Sequence, residues 1–184
     1  STKRPKPDQS PYESMDCKLA SCTGLSVLLT DALRSVGIPS RIAGTPAWTE
    51  KRGNHNWNEV WVNGEWKFTE YYFAGLNKGW FLKSAAAANG KNWQNKIYAS
   101  SFKPTQYWFP LVWDFNIRYV HGIDVTQNYK DIFIKNKQEK AKGLKVNLSL
   151  YVSKGGQRVP KDLKIFNNKK KTVAEGKSKG PQDD

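Results

Sequence analysis

Cysteine, histidine and methionine are scarce in this chain: two, two and one among 184 residues. The two cysteines, Cys17 and Cys22, cannot build the disulfide framework on which core-poor domains rely. His55 and His121 lie in different segments, so the thiol and imidazole groups have no zinc-finger spacing. No metal and no cofactor are expected. Long apolar runs are also missing. None approaches the ~20 residues that cross a bilayer, and no secretory leader pattern is visible. The chain begins at Ser1 rather than Met, so the missing leader says nothing about the compartment.

Acidic residues are few, 16 against 30 Lys and Arg, for a net charge of +14. The excess is uneven. Residues 1–114 carry 14 basic and 9 acidic side chains; residues 115–184 carry 16 and 7, including the run Lys169-Lys170-Lys171. Nucleic-acid surfaces combine basic residues with stacking aromatics. Here the aromatics and the lysines lie mostly in different halves, which argues against a nucleic-acid partner and for a solvated basic surface.

What is present supports a packed core, at 38 % hydrophobic and 13 % aromatic residues. Residues 1–16, with three prolines, read as an irregular lead-in. Leu25, Leu28, Leu29, Ala32, Leu33 and Val36 then recur at helical spacing as one apolar stripe. Gly37 and Pro39 stop it, which predicts a helix from Thr23 to Val36. Ile38 to Ala43 can start a strand. "HNWNEVWV" and "EWKFTEYY" flank Asn63-Gly64, a strong hairpin signal. A two-residue loop there pairs Val62 with Glu65, sets Glu70 opposite Trp57 and puts His55 and Glu70 on one face as diagonal neighbours. Trp57, Trp61 and Trp66 share that face. A helix is expected near 83–88 and a buried strand within 107–115. Beyond Phe115 the short runs "IRYVHGIDVTQNY", "DIFIKN", "LKVNLSLYVS" and "DLKIFNN" read as strands, too few to close a sandwich of about seven. Most of the eight tryptophans are expected in the core.

Cys22 sits at the mouth of the first helix. A helix N-terminus carries partial positive charge and unpaired N–H groups, which stabilise a thiolate and can hold an oxyanion. The plainer reading of Cys22 is a small buried residue at a helix start. A thiol nucleophile needs an imidazole and a group to orient it, and the hairpin offers both in His55 and Glu70. Each alone reads equally well as an ordinary strand residue.

The segments "CTGLSVLLTDALRSVGIPSRIAG" and "HNWNEVWVNGEWKFTE" resemble the transglutaminase-like superfamily. In that family a cysteine opens a helix ending in Gly-Ile-Pro-x-Arg, and a His-x-Trp-x-Glu-Val strand, a turn, a tryptophan and an acid follow. The resemblance covers about residues 17–73. It departs at Glu70, where the family commonly has Asp, and at Ala20, where it often has Gly. It implies Cys22 as nucleophile, His55 as base and Glu70 as the acid that orients it. Gln9 lies upstream of the cysteine, as does the oxyanion glutamine of papain-like enzymes, and is the candidate second donor. Trp57 flanks the site as a candidate substrate-binding wall that excludes water.

The expected architecture is therefore α+β. A transglutaminase-like, papain-like core at 1–114 has its amphipathic helix packed on an antiparallel sheet. A partial, truncated-looking β-sandwich (Ig-like) module follows at 115–184. The expected chemistry is acyl transfer through a Cys22 thioester on a peptide, protein or glycopeptide amide, hydrolytic rather than amine-accepting. Two alternatives stand beside it: a catalytically silent scaffold, and a carbohydrate- or peptide-binding module of a larger surface protein. The β-rich end fits an extracytoplasmic setting, whether secreted, periplasmic or surface-attached.

Overall fold

The structure, a computed structural model, describes residues 3–72, 74–141 and 149–180. In chain order the elements are α1 (Pro11–Cys17), α2 (Cys22–Ser35), β1 (Ser40–Thr45), β2 (His55–Val62), β3 (Glu65–Thr69), α3 (Leu82–Ala86), β4 (Tyr98–Ser100), β5 (Tyr107–Trp108), β6 (His121–Asp124), α4 (Thr126–Ala141), β7 (Asp162–Phe166) and β8 (Thr172–Lys177). The chain divides into two compact units, residues 1–141 and 142–184.

The first unit is a mixed α+β structure. Its sheet has the order β3-β2-β1-β4-β6-β5, and every pairing is antiparallel. Asn63 and Gly64 both take positive φ, 54° and 81°, the conformation a two-residue hairpin of native twist requires. They set the ladder that runs from Val62↔Glu65 to Asn58↔Thr69, the register expected from the turn. Side chains alternate across β2. Trp57 faces a core of Trp48, Phe68, Phe81, Ile97 and Tyr129, to which α3 and α4 contribute. Asn56 and Asn58 face α2.

The fit of α2 differs from expectation. Its boundaries agree, but its buried residues are Thr23, Gly24, Ser26 and Thr30. The Leu25/Leu28/Leu29/Leu33 stripe is only half-buried, and Ala32 and Val36 are exposed. The sheet explains the choice of face. Asn58 Nδ2 donates to the Ser26 carbonyl and to Thr30 Oγ1, both at 2.8 Å. Ser40 Oγ donates to the Thr30 carbonyl at 2.9 Å. Small polar side chains let the helix approach closely, and the helix accepts from the Asn56 and Asn58 side-chain N–H groups that would otherwise be buried unpaired.

Five other expectations are corrected. The lead-in contains α1, opened by a capping box: Ser10 and Glu13 each accept from the other's backbone N–H, with Pro11 at the first helical position. Between 107 and 115 only β5 is a strand; Pro110 and a turn closed by Asp114 N–H on the Leu111 carbonyl end it. "DIFIKN" is helical, not a strand, because Val125, Tyr129, Ile132 and Phe133 form a stripe at i, i+4, i+7 and i+8 that packs on the main core. The first unit accordingly runs past the expected break at 114/115, since β6 pairs with β4 and Tyr129 fills the core. Of the eight tryptophans only Trp48 and Trp57 are buried.

In the second unit the described residues form one two-stranded sheet, β7–β8, with a register shift at Ile165/Phe166, and one bridge, Tyr151↔Arg158. They do not form two packed sheets. Of the expected "LKVNLSLYVS" strand, residues 144–148 lie outside the described residues, and the remainder contributes only the bridge residue Tyr151.

Candidate active site

Local sequence places each group. Ser21 caps α2: its Oγ accepts from Gly24 N–H at 3.1 Å and donates to the Pro7 carbonyl at 2.9 Å. Cys22 is therefore the first helical residue, partly exposed, and neither it nor Cys17 is in a disulfide. His55 is the first residue of β2, opposite Thr45. Glu70 follows the last residue of β3. The hairpin register brings these two together, and His55 Nε2 lies 2.5 Å from Glu70 Oε1. The remaining ring nitrogen, Nδ1, is the one left for the thiol, and Cys22 and His55 lie near enough for each to shift the other's titration.

Electrostatics follow from this chain of contacts. Burial pushes the Cys22 thiol up, but the hydrogen bond to His55 and the backbone N–H groups of Asn56 and Thr23 outweigh it, so the thiol lies below its ordinary value. Burial pushes His55 down, while hydrogen bonds and charge interactions with Cys22 and Glu70 raise it above its ordinary value. The two shifts favour the same state, thiolate beside imidazolium. His55 and Glu70 are each 5 % exposed, so little water competes for their bond. The extra methylene of glutamate does not keep Glu70 from His55. Glu70 Oε2 has no protein partner.

Gly44 is required at this point. It pairs with Asn56 across β1 and β2. A Cβ there would lie 2.1 Å from Asn56 Oδ1 and 2.6 Å from the His55 carbonyl oxygen. Its absence lets the Asn56 side chain donate to Thr23 Oγ1 at 2.8 Å, tying the start of β2 to the start of α2.

Aromatic rings enclose the imidazole. Trp80, Phe81, Trp57, Trp48 and Tyr71 have centroids 5.0, 5.3, 5.7, 6.4 and 6.5 Å from it. Trp80 is 60 % exposed, and its Nε1–H donates to Glu70 Oε1 at 3.3 Å. Tyr71 is pushed up to about 12 by burial and the Glu70 charge, so it stays a neutral phenol. Sequence reading missed Trp80, Tyr71 and Gly44. Trp80 lies in "NKGWF", a loop with no periodicity to give it a face.

Two candidates have other roles. Trp57 is 0 % exposed, stacks on Trp48 and Phe81, and donates its indole N–H to Tyr129 Oη at 2.6 Å. It supports His55 from below and leaves no surface for substrate. Gln9 is buried, and both Nε2 hydrogens are committed, to Cys17 Sγ at 3.0 Å and the Leu19 carbonyl at 2.8 Å. Its amide is not offered to an oxyanion at Cys22. Glu59 serves elsewhere: it accepts from Arg41 Nε at 2.6 Å and from Tyr129 Oη at 2.7 Å, a buried network joining β1, β2 and α4. His121 stacks on Trp108 and accepts from Thr105 N–H at 3.2 Å. Among the described residues no group of His, Cys, Asp and Glu could hold a metal ion, and no helix is long and apolar enough to cross a membrane.

Comparison with known proteins adds one finding. Neither curated proteins nor solved structures give a match. The segment carrying α1, α2 and the hairpin does match a family: residues 1–71, the stretch that supplies Cys22, His55 and Glu70, match the family model of the transglutaminase-like superfamily.

Proposed function

We propose that the first unit is a cysteine acyl-transfer enzyme acting on amide substrates, with Cys22 as nucleophile, His55 as general base and acid, and Glu70 as the group that orients His55. The observation that carries this reading is the buried His55–Glu70 pair, with Cys22 beside it at the start of α2 and the two titrations shifted toward thiolate and imidazolium. In the resting pair the proton sits on His55. The Cys22 thiolate attacks the amide carbonyl, and the tetrahedral intermediate forms where first-turn N–H groups and the helix dipole favour negative charge. His55 passes its proton to the leaving amine as the C–N bond breaks, which leaves a thioester on Cys22. Water then enters, gives its proton to His55, attacks the thioester carbonyl and releases the acid product. Water is taken as the acceptor. Glu70 holds Nε2 and fixes the ring so that Nδ1 is left for sulfur.

The test is iodoacetamide labelling of Cys22 and Cys17 across pH, read separately by mass spectrometry. Cys22 in the wild type reacts at a pH well below the ~8.5 of a free thiol; Cys17 does not. His55→Ala moves Cys22 back to ordinary behaviour. If Cys22 is inert, or titrates like Cys17 whatever stands at 55, the acyl-transfer reading fails. For turnover the signs give a bell-shaped profile. The acid limb is loss of the thiolate, moved down with Cys22; the alkaline limb is loss of the His55 proton, moved up with His55.

A further inference from the structure

The chemistry above uses one side of Trp80. Its other side walls a cavity of about 540 Å³ between α3 and α4, within the ~300–1,000 Å³ range of ligand sites. Leu82 and Phe133 complete the apolar lining, and Lys78, Lys83 and Lys137, all exposed, stand at its edge with a single carboxylate, Glu139. Three lysines elsewhere in the first unit are ion-paired, Lys6 with Glu13, Lys67 with Glu65 and Lys96 with Asp124; what sets the cavity lysines apart is that three of them gather around one apolar hollow. Among the described residues the three cavity lysines have no carboxylate partner within 4.0 Å. A fourth cation continues the set toward the dyad, since Lys51 Nζ lies 5.2 Å from the Trp80 centroid and 5.0 Å from that of Trp48. Like charges gathered around an apolar hollow repel one another, and an anionic ligand with some apolar surface relieves that repulsion.

We infer that this cavity is a recognition subsite for an acidic peptide segment, the carboxylate-bearing flank of the amide substrate whose carbonyl reaches Cys22. The inference rests on the acyl-transfer reading for its reaction but not for its binding. Aliphatic parts of the segment lie on Trp80 and Phe133, and its carboxylates meet Lys78, Lys83 and Lys137. A peptide is favoured over a nucleic acid because the lysines edge one hollow whose Trp80 wall also contacts His55, whereas strand binding needs a basic track with successive stacking platforms.

The experiment uses the full chain with Cys22→Ala, which cannot turn over, at ~0.15 M salt, where long-range charge is screened beyond about 8 Å. The probes are acetylated, amidated hexaglutamate, hexaglutamine of the same form, and a six-residue oligothymidylate, titrated by calorimetry and tryptophan fluorescence. Hexaglutamate is expected to bind saturably and at least tenfold more tightly than the other two. The triple variant Lys78→Gln, Lys83→Gln, Lys137→Gln weakens it at least tenfold. The variant Lys169→Gln, Lys170→Gln, Lys171→Gln, which removes the same charge from the other unit, leaves it unchanged. Equal weakening by both triple variants would mean that net charge alone attracts the probe, and the subsite would be overturned. So would oligothymidylate binding as tight as hexaglutamate, or no hexaglutamate binding at all. Cys22 labelling of the otherwise wild-type chain, run in parallel, separates the two ideas. Ordinary labelling with hexaglutamate bound sinks the acyl-transfer reading alone; His55-dependent labelling with no hexaglutamate bound sinks the subsite alone.

Discussion

The hairpins β2–β3 and β7–β8 are both antiparallel ladders of five paired positions. Six of the eight residues of β2 are buried, while all six of β8 are exposed. Turn chemistry does not account for the contrast, because both turns are well formed. Asn63-Gly64 makes the first. In the second, Asn167 Oδ1 accepts from Lys169 and Lys171 N–H groups. What separates them is cover. α2 lies on one face of β2 and the α3/α4 core on the other, whereas the described residues of the second unit bury neither face of β8. Hairpin formation is a local event; burial is not. A short His55–Glu70 bond needs the buried kind, since water would weaken it.

All eight tryptophans fall between residues 48 and 113, so tryptophan fluorescence follows unfolding of the first unit alone. The largest expected contrast is Trp57→Ala against Phe166→Ala. The first empties the core and strips Tyr129 of a partner, costing on the order of 5 kcal/mol in chemical denaturation. The second removes a ring that is 57 % exposed and leaves the fluorescence transition where it was. Hydrogen exchange of β7 and β8 reads the second unit itself, and a large loss of protection there in Phe166→Ala would show that this hairpin is covered after all.

Next comes the contrast between ion pairs. Arg41→Met leaves Glu59 buried and unpaired by cation, since Arg41 Nη2 lies 2.6 Å from Glu59 Oε2 with both side chains near 5 % exposed; the expected loss is about 3 kcal/mol. Lys164 and Glu175 sit 3.4 Å apart with about 60 % of each side chain exposed. Breaking that pair with Lys164→Met should leave stability measured by hydrogen exchange of β7 nearly unchanged.

The smallest contrast lies in the turns. Gly64 has φ 81° and Lys170 φ 58°. Gly64→Ala forces a side chain into left-handed backbone and costs ~1 kcal/mol, while Lys170→Gly relieves the same strain and stabilises its hairpin by up to ~1 kcal/mol. Calorimetry of each variant reads the two signs. Equal signs would mean that something other than backbone conformation governs one of the turns.

The parts of the fold legible in sequence are those set by near neighbours. Asn63-Gly64 dictates its own turn, the turn dictates the register, and the register makes His55 and Glu70 neighbours. Gly37 and Pro39 end α2, and Ser21 starts it. Other elements were ambiguous for the same reason. "DIFIKN" alternates like a strand over so few residues that only its packing on Phe68 and Trp57 through Tyr129 and its neighbours selects the helix. The capping box of α1 was present in Ser10 and Glu13 but masked by three prolines that also suit a loop.

Cys22 at a helix start, His55 and Glu70 on one hairpin face, and the α+β class were determined by the sequence itself, through turn geometry and capping acting over a few residues. The tertiary structure decided the rest. It chose the Thr-Ser face of α2 over its leucine stripe, because the side-chain N–H donors of Asn56 and Asn58, once buried, needed acceptors on the helix. It sent Trp57 into the core and left Trp80 at the surface beside Glu70, because only the packing of α3 and α4 determines which indole loses its water. It also brought Cys22 to His55, since the contact between a helix start and a strand start depends on Gly44 having no side chain and on long-range packing that no local pattern encodes.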